Sequence, residues 1–275
     1  MPEDMPPPIV IDLDPSTPDP LQDTYRELLQ KVESVPEVAM QAAAIGEVLN
    51  RLPGDEAVWL LDQLLRGALW GHPTTAEALL ATAWYLIQIR LEDDYERLKE
   101  LFICAHDDGR AAVRDLLRDV PPHQALPKGR RLPEVRLPMD RDVTVGERRT
   151  LAAGPKRRIL ERLLMDPNPL VIRKLLDNPQ IRLEDVMVVV TRRPTSPELL
   201  HEVVRHPRWF ARGRIREGLV RNPYNETGYS LKLLPSLGIK LLRQIAQSGD
   251  LHPVLHESAA RLVQLREERT APWRV

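Results

Sequence analysis

One helical phrase, written three times between Lys156 and Gln264, limits what this chain can fold into more than any other feature. The copies are Ile159-Leu160-Glu161-Arg162-Leu163-Leu164-Met165-Asp166-Pro167, Leu199-Leu200-His201-Glu202-Val203-Val204-Arg205-His206-Pro207 and Leu241-Leu242-Arg243-Gln244-Ile245-Ala246-Gln247-Ser248-Gly249. In each, two apolar residues are followed four positions on by two more, which is the spacing that lines one face of a helix. A proline or glycine then breaks it. The copies start 40 and then 42 residues apart.

Two further helix types recur with it. Val171, Leu175 and Leu176 before Asn178-Pro179 match Ile215, Leu219 and Val220 before Asn222-Pro223 at an offset of 44 residues. At the same offset Met187, Val189 and Val190 match Leu231, Leu233 and Leu234. The reading is three helices per unit of about 40–44 residues, with two full and two partial units between Pro155 and Glu268. Ser196-Pro197-Glu198 reads as an N-cap serine followed by proline at the first helical position.

The pattern resembles the armadillo and HEAT family of α-solenoids. It also resembles the leucine-rich-repeat variant proteins, with their Asp-Pro and Asn-Pro punctuation. Asp166-Pro167-Asn168-Pro169-Leu170-Val171-Ile172-Arg173 is similar to the start of bacterial HEAT-like units. The resemblance covers under half of the chain. It implies a curved stack in which each unit packs on its neighbours and leaves a long surface for binding.

The remainder is also read as helical. Residues 1–20 hold seven prolines and five acids, which cannot build a core and read as a disordered arm. Residues 21–120 read as an acidic six-helix bundle or a run of helical hairpins. Thr24 with Glu27, and Thr74 with Glu77, have capping-box spacing, and a broadly apolar fourth helix, running to about Arg90, is expected to be central. Residues 121–150, with five prolines and little periodicity, read as a linker or a strap lying on one half. Residues 151–270 form the basic repeat region. No alternating strand is evident, so the expected class is all-α: a helical bundle or hairpins followed by an armadillo- or HEAT-like α-solenoid. With only two Phe, the core is expected to be mostly aliphatic.

Neither a signal-peptide pattern nor an apolar run of about 20 residues, the length of a membrane span, is found, so the chain reads as cytoplasmic. Cys104 stands alone, which excludes an intramolecular disulfide, and reads as a small apolar residue. The formal net charge of −1 hides an asymmetry. Residues 1–127 carry 10 Lys and Arg against 23 Asp and Glu, while residues 151–275 carry 22 against 13. Either the halves attract one another, or each has its own charged partner, or the charges are solvated surface.

Signatures of chemistry are missing. There is no Gly-x-x-x-x-Gly-Lys, no Gly-x-Gly-x-x-Gly and no Gly-x-Ser-x-Gly. His201-Glu202 and His256-Glu257 open like zinc-protease helices, but Arg205 and Ala260 stand where the second histidine is needed. No enzyme, cofactor, metal or small-molecule substrate is expected.

The best candidate surface is the stretch from His206 to Arg221, with His206, Arg208, Trp209, Phe210, Arg212, Arg214, Arg216 and Arg221, and its neighbours Arg192, Arg193 and Arg205. Arg208, Arg212 and Arg216 are spaced to line one ridge of a helix, and Arg with Trp is the usual anchor chemistry of interfaces. The plainer alternative has Trp209 and Phe210 plugging the seam between units under solvent-facing arginines. Two functions are weighed. One is a scaffold or adaptor whose protein partner is acidic where it meets the repeats. The other is a nucleic-acid-binding protein using a basic face of residues 151–270, which acids interleaved among the arginines would weaken.

Overall fold

The computed structural model describes residues 19–88, 91–139 and 141–270. Among these the protein is all-α, with sixteen helices and no strand. The arm expected over residues 1–20 lies outside the described residues as far as residue 18, and Asp19 and Pro20 open the first helix. The end of the fourth helix expected near Arg90 also lies outside them.

Six helices form the front of the molecule: α1 (Asp19–Ser34), α2 (Val38–Arg51), α3 (Gly54–Leu69), α4 (Pro73–Gln88), α5 (Leu91–Asp107) and α6 (Ala111–Leu117). Their apolar faces meet, burying Tyr25, Ile45, Leu60, Leu64, Leu101 and Leu116 almost completely. The helix α4 is central, packed against α1, α2 and α3. Gly46 permits this, because a Cβ there would lie 2.3 Å from the Tyr85 ring.

The expected capping boxes in this half are corrected. Thr24 lies inside α1 and donates to the Pro20 carbonyl at 2.9 Å, while Thr74 follows the start of α4 at Pro73. In both places a proline opens the helix before the threonine, since its missing N–H costs nothing in the first turn.

The back of the molecule begins inside the stretch read as linker or strap. The helix α7 (Val145–Ala152) opens on a full capping box, Thr144 with Glu147. The residues before it lie along the back half: the Gln124 N–H donates to the Pro223 carbonyl at 2.9 Å, and Leu132 is buried. Next come α8 (Arg157–Leu163), α9 (Pro169–Leu176), α10 (Leu183–Thr191), α11 (Pro197–Val204), α12 (Pro207–Phe210) and α13 (Gly213–Val220). The described residues end with α14 (Thr227–Leu233), a 3-10 turn over Leu234–Ser236, α15 (Ile239–Ala246) and α16 (Pro253–Thr270).

The recurrence seen in the sequence has a structural counterpart. Asn178 is 4% exposed and donates to the Ala152 and Gly154 carbonyls at 2.8 and 2.9 Å, while its own oxygen accepts from the Gln180 N–H. Forty-four residues on, Asn222 is 2% exposed, donates to the Val190 and Arg192 carbonyls at 2.8 and 3.1 Å, and accepts from the Tyr224 N–H. Each asparagine thus satisfies the orphan carbonyls at the end of an earlier helix, α7 or α10. The repeat phrases point inward: Leu163 and Leu199 are buried and Leu241 is half-buried against the core. These features are compatible with a helical repeat.

The halves share one apolar core. The helix α14 packs on α4 and α6, and α16 packs on α3 and α6. Trp84 meets Phe210 edge to face with ring centroids 4.9 Å apart. Gly228 N–H donates to the Val120 carbonyl at 2.9 Å, and a Cβ on Gly228 would lie 3.1 Å from backbone atoms of residues 118 and 120.

Candidate interaction surface

The arginines that looked alike in the sequence separate into two kinds. Arg192, Arg208 and Arg216 are stitches. Arg192 is half-buried and donates to the Met165 carbonyl at 2.8 Å; burial pushes its pKa down, with nearby Asp166 opposing. Arg208 lies over the Trp209 ring, 4.3 Å from its centroid, and reaches the Ile181 carbonyl at 3.3 Å. Arg216 turns inward to the Phe210 carbonyl at 3.0 Å and the Ser236 hydroxyl at 3.1 Å, and burial lowers its pKa as well. These bonds give donors to backbone carbonyls that lie between or at the ends of the helices.

The ridge expected from Arg208, Arg212 and Arg216 does not form. Arg208 belongs to α12, Arg212 is the N-cap of α13 and Arg216 lies within α13. The helical spacing is broken at Ala211. Trp209 is a plug, 2% exposed, with its indole N–H donating to the Leu176 carbonyl at 3.0 Å. Phe210 is wholly buried beside Trp84. Arg205 reaches across to the Gln88 side chain at 3.0 Å.

Arg193, Arg212, Arg214 and Arg221 are of the second kind, exposed to solvent. The Arg212 and Arg214 side chains carry no hydrogen bond or ion pair among the described residues. Arg193 donates to the Arg221 carbonyl, while Arg221 pairs with Glu217 at 2.7 Å and donates to Gln244 at 2.6 Å. Arg193, Arg214 and Arg221 line an open cleft of about 470 Å³ between α10 and α13, with Met187 on its floor. A smaller cleft of about 190 Å³ continues it toward α15, past Gln244, Ser248 and Asp250. Arg193 and Arg221 border both clefts, which lie along α10, α13 and α15.

Arg214 belongs to the stretch from His206 to Arg221 picked from the sequence, and residues 214, 217 and 221 share a face opposite the buried Ile215 and Leu219.

Acids are interleaved with the remaining basic groups. Glu202 accepts both Arg173 bonds at 2.7 Å, Asp185 and Glu161 hold Arg157, and Asp177 faces His206 at 3.4 Å. His206 has its pKa lowered by burial, against the pull of Asp177. His201, the first residue of one zinc-like motif, shares a hydrogen bond of 2.9 Å with the Tyr229 hydroxyl. Cys104 is half-buried, and burial followed by the charge of Glu100 raises its pKa, which makes it a poor nucleophile.

Comparison with protein-family models, curated proteins and solved structures finds no match to this chain.

Proposed function

We propose that this protein is a non-catalytic helical-repeat scaffold, of armadillo, HEAT or leucine-rich-repeat-variant type, whose back half binds an acidic segment of a partner protein. The observation that carries the reading is the pair of neighbouring clefts from α10 to α15, read as one groove, which Arg193, Arg214 and Arg221 line together with Met187, Ile245 and Leu251. Guanidinium groups suit carboxylates, which they can grip in pairs. Met187, Ile245 and Leu251 suit an apolar side chain of the same segment.

The interleaved acids favour a peptide over a nucleic acid. Glu217 and Asp250 stand in the groove itself, and a phosphate backbone would meet repulsion at each.

The test is co-purification with wild type and with the Arg193→Glu, Arg214→Glu double variant. The expected result is a defined partner, acidic at its binding segment, retained by wild type and lost from the variant, with an unchanged unfolding midpoint. Equal retention by both sinks the assignment of the groove. Tight binding of duplex DNA with a steep salt slope would replace the peptide reading by the nucleic-acid one.

A further inference from the structure

A different concavity lies where the two halves meet. It holds about 250 Å³, is walled by aliphatic side chains of α4, α5 and α6, and receives four polar residues: Asp119, Glu226, Tyr229 and Lys232. Lys232 is the unusual member, a lysine only 7% exposed on α14. Its Nζ donates to the Arg118 carbonyl at 2.9 Å and to the Gly228 carbonyl at 3.3 Å. No carboxylate comes within ion-pairing distance of it among the described residues.

An amine nitrogen is tetrahedral, and two backbone carbonyls use two of its hydrogens. The third position has no protein acceptor among the described residues. In the ammonium form it carries an unclaimed N–H, and in the neutral form it carries the lone pair. Burial lowers the Lys232 pKa to about 8, with Asp119 opposing, so both forms are populated near neutral pH.

The charges around Nζ select the ligand. Asp119 at the end of α6, with Glu226 on the loop before α14, repels anions. The ammonium repels cations. Arg118 and Arg261 do not change this, because both are directed to Asp115 at 3.5 and 3.4 Å. A neutral molecule with one polar atom and an aliphatic tail meets neither repulsion. We infer that the cavity takes a small neutral aliphatic aldehyde or ketone and holds it as an imine on Lys232.

The step balances without an added oxidant or reductant. The Nζ lone pair attacks the carbonyl carbon, and the carbonyl oxygen takes a proton to give a carbinolamine. The nitrogen, having given one proton to that oxygen, keeps its last N–H; the hydroxyl takes a proton from Glu226 and leaves as water, and the nitrogen lone pair closes the C=N bond of a protonated imine. Glu226 lines the same cavity and is suited to pass that proton, because burial, then Asp119 and Glu198, raise its pKa. Tyr229 is less suited, since its hydroxyl is engaged by His201. The protonated imine keeps one N–H for the Arg118 carbonyl. Buried lysines are suited to this chemistry because their neutral form is accessible.

The experiment treats the full chain with limiting hexanal and cyanoborohydride between pH 6.5 and 9, then maps the modified peptides. The expected first site is Lys232, ahead of the six exposed lysines, with a rate rising about tenfold per pH unit until it levels near pH 8. Glu226→Gln is expected to slow labelling about tenfold while leaving the unfolding midpoint in place. Lys232→Arg, which keeps the charge and cannot form an imine, is expected to abolish the fast phase. The site is assigned on the wild-type chain, so the result does not depend on either variant folding. Labelling of Lys128, Lys156 or Lys240 first, with Lys232 untouched in the folded protein, overturns the inference.

Discussion

Asn222 shows what a single side chain does in this fold. Its amide closes two carbonyls at the end of α10 and accepts the Tyr224 N–H in the turn that follows α13. Removing it leaves one buried and two part-buried backbone groups short of a partner. Asn222→Ala is therefore expected to cost about 2–3 kcal/mol, because an unmet buried donor or acceptor carries its desolvation penalty. Urea unfolding should show a lower midpoint at an unchanged slope. Asn178→Ala should behave alike, since Asn178 makes the equivalent bonds to Ala152 and Gly154. The sequence marked both residues by their 44-residue offset, but only as helix stops; that their amides reach back across the unit required knowing which helix ends lie beside them. The arginines were harder still. Arg212 and Arg216 have the same residue type and helical spacing, yet one is solvated and the other is bonded to the Phe210 carbonyl. The difference depends on the turn at Ala211 and on where residue 236 comes to rest, and neither is a local property.

At the scale of an element, the sequence named helices better than it named their starts. Stretches with a strong apolar period, such as α4 and α11, lie where they were expected. Capping boxes read from spacing alone failed at Thr24 and Thr74, where Pro20 and Pro73 open the helices earlier. The box that does form, at Thr144 and Glu147, sat unrecognised at the end of a proline-rich stretch. Glu147 accepts from the Thr144 N–H at 2.9 Å and takes the Arg141 guanidinium as well, which together hold its carboxyl at about 2. A folded-state pKa below the ordinary value stabilises the charged cap at neutral pH. That contribution is present above about pH 4.5 and is lost as the pH falls toward about 2. The first turn of α7 should accordingly fray in that window in wild type, seen as faster amide exchange at residues 147–149. In Glu147→Gln the same amides should exchange at a rate that does not change across it, once the intrinsic pH dependence is removed.

For the whole molecule, the uneven charge of the sequence left open whether the two halves attract one another, each has its own charged partner, or the charges are solvated surface. The contact between them is built chiefly from apolar packing and backbone bonds. The packing of α14 on α4 and α6, α16 on α3 and α6, Trp84 against Phe210 and the Gly228 N–H to the Val120 carbonyl are its main parts, and Arg261 to Asp115 at 3.4 Å adds an ion pair. Apolar residues forecast that each half has a core, but the sequence could not show that the two cores are continuous, because nothing in a periodic pattern says which helix meets which. Two consequences separate the packing account from the electrostatic one. Phe210→Ala should destabilise the chain by about 3–5 kcal/mol, the usual cost of emptying a buried aromatic site. Raising sodium chloride from 0.05 to about 1 M, which shortens the screening length from above 10 Å to about 3 Å, should leave the unfolding midpoint nearly unmoved. Fluorescence from Trp59 in the front half and helical ellipticity over the whole chain should report one coincident transition in both salts. Two separated transitions, or a midpoint that collapses with salt, would mean that the halves fold apart and are joined by charge.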